Sequence, residues 1–223
     1  MLTLNNVSKT YKTGAVEVTA LSGVTLKVEK GDYVAVHGAS GAGKSTLLNI
    51  IGGLIKPDSG EVLYEGNNIY KQKDRLTHAY RRDHVGFMFQ QFHLMPYLTV
   101  LENIRLACYG KRNVLNIGEY IEKCNLAGLE NKYPSALSVG EKQRAAFIRA
   151  IVSVPDVLLA DEPTGNLDPD NSQMLLSLIA EYHQGGGTVV LVSHDPSVRE
   201  YATLQVTLEK GILHGVKPGK AYA

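Results

Sequence analysis

Gly38-Ala-Ser-Gly-Ala-Gly-Lys-Ser45 indicates the fold class, because it matches the phosphate-binding pattern G-x-x-x-x-G-K-[ST] at every fixed position. It follows the apolar run 33–36 and opens the helix-compatible segment 46–51, so the local order is strand, glycine loop and helix. A plain turn between a strand and a helix would require neither the Lys-Ser pair nor so many glycines. The stretch therefore predicts a phosphate-binding loop in an α/β fold.

The chemistry of this loop follows from its residue types. Its glycines let successive backbone N–H groups point at a polyphosphate, and the helix N-terminus adds its partial positive charge. Lys44 would supply a cation for the β- and γ-phosphates, and Ser45 a hydroxyl for Mg²⁺. The residues predicted to bind the nucleotide in this region are Gly38, Ala39, Ser40, Gly41, Ala42, Gly43, Lys44, Ser45 and Thr46.

Two adjacent acids, Asp161 and Glu162, end a second apolar strand over 157–160. In a parallel sheet they would lie at the carboxyl edge, beside the glycine loop. Asp161 is then predicted to join the Mg²⁺ shell, and Glu162 to act as the general base on the attacking water. The alternative for Glu162 is an ordinary solvated acid. However, a negative charge beside Asp161 and a triphosphate would be unfavourable in electrostatic energy unless it had a catalytic role.

Three further segments complete the pattern: Leu137-Ser-Val-Gly-Glu-Lys-Gln-Arg144, Gly165-Asn-Leu-Asp168 and Leu191-Val-Ser-His-Asp195. In this order and spacing the chain resembles the ATP-binding cassette (ABC) family of ATPases over nearly all of its length. The resemblance implies a P-loop NTPase with ATP and Mg²⁺ as cofactors. It also implies a mainly parallel sheet core, an antiparallel β lobe and an inserted helical subdomain.

The resemblance also assigns roles to single residues. Tyr11 matches the aromatic that stacks on adenine, although a surface tyrosine is the alternative. Gln90 matches the glutamine that joins the Mg²⁺ shell and connects to the membrane partner, and the adjacent Gln91 is the alternative residue for this role. His194 matches the switch histidine that contacts the γ-phosphate, so Glu162, His194 and Lys44 are the predicted catalytic residues; a buried histidine at a strand end is the alternative. The remaining predicted nucleotide-binding residues are Ser138, Gly140, Glu141 and Asp168, and Ser138 and Gly140 match positions that contact a nucleotide bound to the other protomer.

The signature segment of this chain, Leu137-Ser-Val-Gly-Glu141, departs from the family at two positions. The family usually has Leu-Ser-Gly-Gly-Gln, where this chain has Val139 and Glu141 at the third and fifth places. Val139 adds a β-branched side chain near a phosphate. Glu141 either repels the nucleotide or acts as a favourable acid at a helix N-terminus.

The branch within the family is indicated by segment 86–104 together with Glu162-Pro-Thr-Gly-Asn-Leu-Asp168. Both are similar to the lipoprotein-releasing and macrolide-exporting cassettes, whose members act as paired ATPases under a membrane subunit. The apolar loop 92–98, next to Gln90, is predicted to be the surface that contacts this subunit.

Composition agrees with this interpretation and excludes others. The 223 residues are 44% hydrophobic and carry a net charge of +1, so there is no general basic field for nucleic acid. No stretch approaches the roughly 20 apolar residues of a membrane span, and the first residues lack a secretory signal. We therefore expect a cytoplasmic protein, peripheral at the inner face of the cell membrane through its partner.

Five basic residues are expected on a solvated surface: Lys71, Lys73, Arg75, Arg81 and Arg82. Cys108 and Cys124 lack metal-ligand spacing and are expected to be reduced core residues.

Periodicity predicts a single domain over 1–223, with an ATPase core at about 1–91 and 154–223 and a helical subdomain at about 92–153. The predicted core strands are 33–37, 61–65, 84–89, 157–160 and 188–192, with helices 44–53 and 169–183. Alternation in 2–7 and 24–28 predicts the antiparallel lobe.

The expected function is that of an ATPase subunit, dimerising around two ATP–Mg²⁺ and driving a separate membrane permease, with a homodimer as the default. One alternative is a regulatory cassette of the cell-division type, which signals to a membrane protein without moving cargo. Another is a cassette acting on DNA or ribosomes, but the chain has neither the coiled-coil arms nor the second cassette that such proteins usually carry.

Overall fold

The computed structural model describes residues 1–14, 16–71, 75–111 and 113–219, without the side chains of Thr13 and Val216. Lys73, one of the expected surface cations, lies outside the described residues. The described residues form ten strands: β1 (Leu2–Thr13), β2 (Val16–Val28), β3 (Tyr33–His37), β4 (Ser59–Tyr64), β5 (Asn67–Asn68), β6 (Val85–Met88), β7 (Val157–Asp161), β8 (Thr188–Val192), β9 (Leu204–Glu209) and β10 (Ile212–Pro218). Their α-helices are α1 (Lys44–Ile51), α2 (Arg75–His84), α3 (Val100–Leu106), α4 (Ile117–Lys123), α5 (Val139–Ile151) and α6 (Pro169–Gln184).

The larger sheet has six strands in the order β10-β9-β3-β8-β7-β6. All neighbouring pairs are parallel except β9 and β10, which form an antiparallel hairpin. Strands β3, β7 and β8 are buried along their whole length, as expected for parallel strands that are covered on both faces. The mainly parallel core is thus confirmed.

The smaller sheet is antiparallel and has the order β2-β1-β4-β5. It confirms the predicted lobe, but it also corrects one assignment. The sequence pattern predicts strand 61–65 in the core, whereas β4 pairs antiparallel with β1 through Leu2 and Tyr64. Strand periodicity alone does not reveal which sheet a strand joins, because that depends on the free edge that β1 offers.

Two further elements are not predicted by the sequence pattern. Helix α2 is mostly polar, yet it buries Thr77 and Tyr80, and the Tyr80 hydroxyl donates to the Ile51 carbonyl at 3.0 Å. Arg75 and Arg82 are exposed as expected, but Arg81 is half-buried and donates to the Gly53 carbonyl at 2.6 Å. The hairpin β9–β10 is the second missed element, and it lies directly behind the glycine loop.

The hydrophobic core lies on both faces of the larger sheet. Val34 and Val36 face the side of α1 and the antiparallel lobe, while Tyr33 and Ala35 face the side of α5 and α6. Cys124 is buried and Cys108 half-buried, and both are free thiols. Helices α3, α4 and α5 all fall within the predicted helical subdomain, whose boundaries stay a prediction. This arrangement leaves the carboxyl ends of the parallel strands open for a site.

Candidate active site

The glycine loop runs from the end of β3 to the start of α1, and close packing explains its glycines. A Cβ on Gly38 would lie 2.2 Å from the Leu208 carbonyl oxygen, and one on Gly43 would lie 2.2 Å from the Ala20 carbonyl oxygen. Gly43 also has φ +103°, a left-handed backbone conformation that residues with a side chain rarely adopt. The Ala42 carbonyl accepts a hydrogen bond from the Gly211 N–H at 3.0 Å. The hairpin β9–β10 therefore fixes the shape of the loop from behind.

The N-terminus of α1 is open to an anion. Gly43 is its N-cap residue and offers no side-chain acceptor, and the first turn contains no acidic residue. The N–H groups of a first helical turn have no partner within the helix. Together with the helix dipole, these groups form a binding position for a phosphate.

Lys44 lies buried at the base of the loop. Its Nζ donates to the carbonyl oxygens of Gly38 and Ala39 at 2.9 and 3.2 Å, and it lies 3.5 Å from Oε1 of Glu162. The ammonium group is therefore fixed by the backbone of the loop that it would serve.

Asp161 ends β7 with a buried carboxylate, and its Oδ1 atom has no hydrogen-bond partner within the described part of the chain. Burial raises the pKa of Asp161, while a hydrogen bond with Ser45 acts in the opposite direction. An unsatisfied buried carboxylate oxygen beside a hydroxyl is the kind of oxygen donor set that Mg²⁺ prefers. These two residues thus fit a cation.

Glu162 follows with φ +45°, a conformation that is uncommon for a residue with a side chain. Its Oε2 lies 2.8 Å from Nδ1 of His194 and accepts the His194 backbone N–H at 3.2 Å. It also accepts the Ser193 hydroxyl at 3.2 Å. The His194 side chain is 70% exposed, so the alternative of a buried histidine is wrong.

These elements surround one cavity of about 410 Å³ at the carboxyl edge of the sheet. Tyr11 lies on one wall, and its partner across β1 and β2 is Val18. The predicted site residues that line the cavity are Tyr11, Ser40, Gly41, Gly43, Lys44, Ser45, Thr46, Gln90, Glu162 and His194. Gly38, Ala39 and Ala42 belong to the same loop but are not among the lining residues. Gln90 follows β6 rather than closing it, since the strand ends at Met88.

The predicted signature residues Ser138, Gly140 and Glu141 do not line this cavity. Ser138 is the N-cap residue of α5 and forms a capping box with Glu141: the Ser138 hydroxyl accepts the Glu141 N–H at 3.3 Å, and the Glu141 carboxylate accepts the Ser138 N–H at 2.7 Å. This backbone hydrogen bond lowers the pKa of Glu141. The carboxylate is thus turned toward its own helix, which supports the interpretation of a favourable helix-terminal acid.

Asp168 is also outside the cavity, as the N-cap residue of α6, where it accepts the Asn171 N–H at 2.9 Å. Asn171 connects it to the signature, because its Oδ1 accepts a hydrogen bond from Arg144 of α5. A Cβ on Gly140 would lie 2.5 Å from the same oxygen. Ser138, Gly140, Glu141 and Asp168 thus sit at two adjoining helix N-termini that do not line the cavity.

Two kinds of residue at this site are not predicted by the sequence motifs. Val18 and Ala20 line the cavity beside Tyr11, and the strand pairing of Tyr11 with Val18 is the signal that could have found them. Ser193, which contacts Glu162, is 1% exposed. The only sequence signal for it is that it directly precedes His194. The glycine loop, the buried acid and the open helix N-terminus together define a P-loop NTPase.

Comparison with known proteins extends this conclusion. The family model described as ABC transporter matches residues 21–165. The uncharacterized ABC transporter ATP-binding protein YvrO of Bacillus subtilis (strain 168) is 43% identical over 218 residues, which cover 96% of this chain and 95% of YvrO. The dimeric post-hydrolysis structure of the ATP-binding cassette MJ0796 bound to ADP and Pi has a TM-score of 0.91 and 36% identity, covering 100% of both chains.

The chain therefore belongs to the ABC transporter family and is an ATP-binding cassette with ATPase function. The predicted branch is confirmed by relatives such as the macrolide export ATP-binding/permease protein MacB of Chlorobaculum tepidum, which is 37% identical over 217 residues. The match covers 96% of this chain but 33% of MacB, so this chain spans a third of that relative's length. None of the described helices has the length and apolar character required to cross a membrane.

Proposed function

We propose that two copies of this chain enclose two ATP molecules at a shared interface and drive a separate membrane protein. The observation that supports this most is the separation of the predicted ATP contacts within one copy. Lys44, Glu162 and His194 line the cavity, whereas Ser138 does not. A second copy that presents its own Ser138 would complete the site. The related MJ0796 structure is described as dimeric, which agrees with this proposal.

In the proposed complex, the adenine stacks on Tyr11 beside Val18, and the phosphates bind the loop and the first turn of α1. Lys44 neutralises the β- and γ-phosphates. Ser45, Asp161 and Gln90 would hold Mg²⁺, which would neutralise phosphate charge and polarise the phosphoryl group when bound.

The proposed chemistry is in-line attack of water on the γ-phosphate, which requires positioning and charge stabilisation more than covalent catalysis. Glu162 accepts the proton of the attacking water. Ser193 and the backbone N–H of His194 both donate to its Oε2, which fixes the orientation of the carboxylate. His194 and Lys44 stabilise the charge on the transferred phosphoryl group.

The proposed link to the membrane partner starts at Gln90, which lines both the ATP cavity and a neighbouring cavity of about 500 Å³. The second cavity is bordered by the apolar loop 92–98, in which Tyr97 is 72% exposed. We assign this loop to the permease contact, and the protein accordingly to the inner face of the cell membrane.

The loop itself is held by the half-buried side chain of Arg149 and the buried side chain of Asn103. Arg149 donates to the carbonyl oxygens of Phe92 and His93 at 2.7 and 2.6 Å. The Asn103 side chain donates to the carbonyls of Met95, Leu98 and Thr99 at 2.9–3.1 Å and accepts the Met95 N–H. A docking surface with a fixed backbone is suited to transmit a displacement that begins at Gln90.

The test is ATP-dependent dimerisation of Glu162→Gln, measured by light scattering at saturating ATP and Mg²⁺. Removing the base while keeping the binding contacts should leave a stable ATP-bound dimer. The matched control is the double variant with Lys44→Ala, which should stay monomeric because it loses the phosphate cation. A Glu162→Gln protein that binds ATP and remains monomeric would contradict the shared site.

A further inference from the structure

Gln143 is a buried polar side chain of α5 that the reaction outlined above does not use. It is 2% exposed, and its Nε2 atom donates to the Pro163 carbonyl at 2.7 Å. Its Oε1 atom has no hydrogen-bond partner among the residues that the structure describes. A buried polar atom without a partner is unfavourable, so an apolar side chain of similar shape would be about as stable at this position. The presence of an amide here therefore requires another explanation.

The orientation of this amide is set by its acceptor. Proline has no backbone N–H, so its carbonyl is the polar group that Pro163 offers to Gln143. Turning the amide over would bring Oε1 against the Pro163 carbonyl oxygen, and both atoms are acceptors. The amide thus faces Pro163 with its donor, although this leaves Oε1 unsatisfied.

Pro163 directly follows Glu162, whose backbone has the left-handed φ of +45°. A residue with a side chain keeps such a conformation only where its surroundings impose it. The Glu162 N–H donates to the Val192 carbonyl at 2.9 Å, and the Glu162 carbonyl accepts the Gly165 N–H at 3.2 Å. The bond from Gln143 adds a contact from a different element, one residue after Glu162. Strand β8, the turn and α5 together fix the backbone that carries the Glu162 carboxylate.

The helix that carries Gln143 also carries the signature. Ser138 caps α5, and Gln143 lies near the start of the second turn of the same helix. In the proposed dimer, Ser138 contacts the nucleotide of the other copy, whereas Glu162 acts on the nucleotide of its own copy. Because an α-helix is held together by its own backbone hydrogen bonds, a displacement of its N-terminus would reach Pro163 through Gln143.

We propose that Gln143 is a positioning residue for ATP hydrolysis: it connects the signature helix to the backbone at Glu162 and makes the orientation of this carboxylate depend on the position of α5. This proposal rests on the role given to Glu162 in the proposed function. Gln143 does not line the ATP cavity, so its effect is expected on kcat and not on ATP binding.

Gln143→Met removes the donor and the unsatisfied oxygen while keeping an unbranched side chain of similar length. We expect kcat to fall about tenfold, which is less than the roughly 100-fold that a misplacement of 1 Å can cause. The KM for ATP should stay within about twofold. The Tm should stay within about 3 °C, because the lost hydrogen bond is offset by relief of the buried oxygen.

The matched control is Gln205→Met on β9. Gln205 is also partly buried, and its side-chain amide also donates to a backbone carbonyl, that of Arg199 at 3.3 Å. It does not line the ATP cavity and makes no contact with the turn after Glu162. The same substitution at this position should therefore retain the wild-type kcat.

A double-mutant cycle with Glu162→Gln tests whether Gln143 acts through the proposed base. Single-turnover rates are measured for the wild type, both single variants and the double variant. If Gln143 orients the Glu162 carboxylate, Gln143→Met should lower the wild-type rate and leave the slow residual rate of Glu162→Gln unchanged within about twofold. A general structural role would lower both rates by the same factor.

Three results would overturn the proposal: wild-type kcat in Gln143→Met, an equal loss in Gln205→Met, or the same factor in both halves of the cycle. If Gln143→Met does not fold, Gln143→Leu, which also lacks the donor, replaces it. Failure of both variants to fold would contradict the expected stability and overturn the proposal as well. A wild-type rate in Glu162→Gln would instead show that the proposed function is wrong about the base, whereas a slow Glu162→Gln with equal factors would refute the inference about Gln143 alone.

Discussion

Nδ1 of His194 lies 2.8 Å from Oε2 of Glu162, although the two residues are 32 positions apart in the chain. They meet because β7 and β8 are parallel neighbours, with Asp161 opposite Val192, so each strand delivers its next residues to one edge of the sheet. The pair joins the proposed base to the proposed γ-phosphate contact. Loss of either side chain should therefore affect the rate more than ATP binding.

His194→Ala should lower kcat roughly 100-fold or more, as expected when a group that stabilises developing charge is removed. ATP affinity should change by less than about fivefold, because the loop and Lys44 remain. Steady-state ATPase rates and equilibrium nucleotide binding measure the two effects. His214→Ala, at an exposed position of β10, is the control and should match the wild type. Equal activity in both variants would remove His194 from the reaction.

Lys44→Ala should weaken ATP binding itself, in contrast to the change at His194. The substitution removes a buried cation whose charge-assisted hydrogen bonds contribute roughly 1.5–3 kcal/mol, or about 10- to 150-fold in affinity. Titration with a fluorescent ATP analogue measures this loss. Lys56→Ala, which removes an exposed lysine outside the cavity, should bind normally. Wild-type affinity in Lys44→Ala would contradict the assignment.

Glu141→Ala should destabilise the protein by about 1 kcal/mol, because it breaks the capping box of α5. Glu141→Gln should retain most of this stability, since glutamine also forms a capping box, and it should not raise ATP turnover. Denaturant unfolding and ATPase assays measure both properties. A clear increase in turnover for Glu141→Gln would revive the alternative that this charge repels the nucleotide.

The contribution of Glu141 should also depend on pH. Its pKa is lowered in the folded protein from the ordinary 4.5, so the carboxylate stabilises the fold above that value. The stability is lost as pH falls through the lower folded pKa. The difference between wild type and Glu141→Ala should thus be constant from pH 7 to about 5.5 and shrink below about 4.5.

Tyr97→Glu and Met95→Asp should leave the ATPase activity of the isolated chain unchanged and prevent assembly with the membrane partner. Both side chains are exposed on the apolar loop, and burying a new unpaired charge at an interface costs several kcal/mol. Co-purification from membranes measures assembly. Tyr109→Glu, which changes another highly exposed tyrosine outside that loop, is the control. Intact complexes with both loop variants would refute the proposed contact.

Val154→Gly should stabilise the protein. Val154 follows α5 with φ +50° and is 49% exposed, so a β-branched residue is held in a left-handed conformation with little packing to compensate. Relief of about 1–2 kcal/mol of strain exceeds the roughly 0.5–1 kcal/mol lost to glycine flexibility, which corresponds to a rise in Tm of about 2–4 °C. Val16→Gly, at an exposed strand position, should instead lower Tm.

The parts of the site that were predictable from sequence are those whose chemistry is local. The loop 38–45 and the end of β7 each carry strand, turn and functional residue within a few positions, so spacing alone predicted them. Membership of β4 in the lobe and the support of the loop by β9–β10 depend on pairings between distant segments. The capping by Glu141 depends on a side-chain rotamer.

The loop over 92–98 is fixed through its backbone carbonyls, by Arg149 and Asn103, and not through the side chains that it displays. Its shape and its recognition chemistry are consequently encoded by different residues. Substitutions at Met95 or Tyr97 can change what the surface recognises while the backbone stays in place. A fold built in this way can acquire a new partner by single exposed replacements, and a designer could retarget it by the same route.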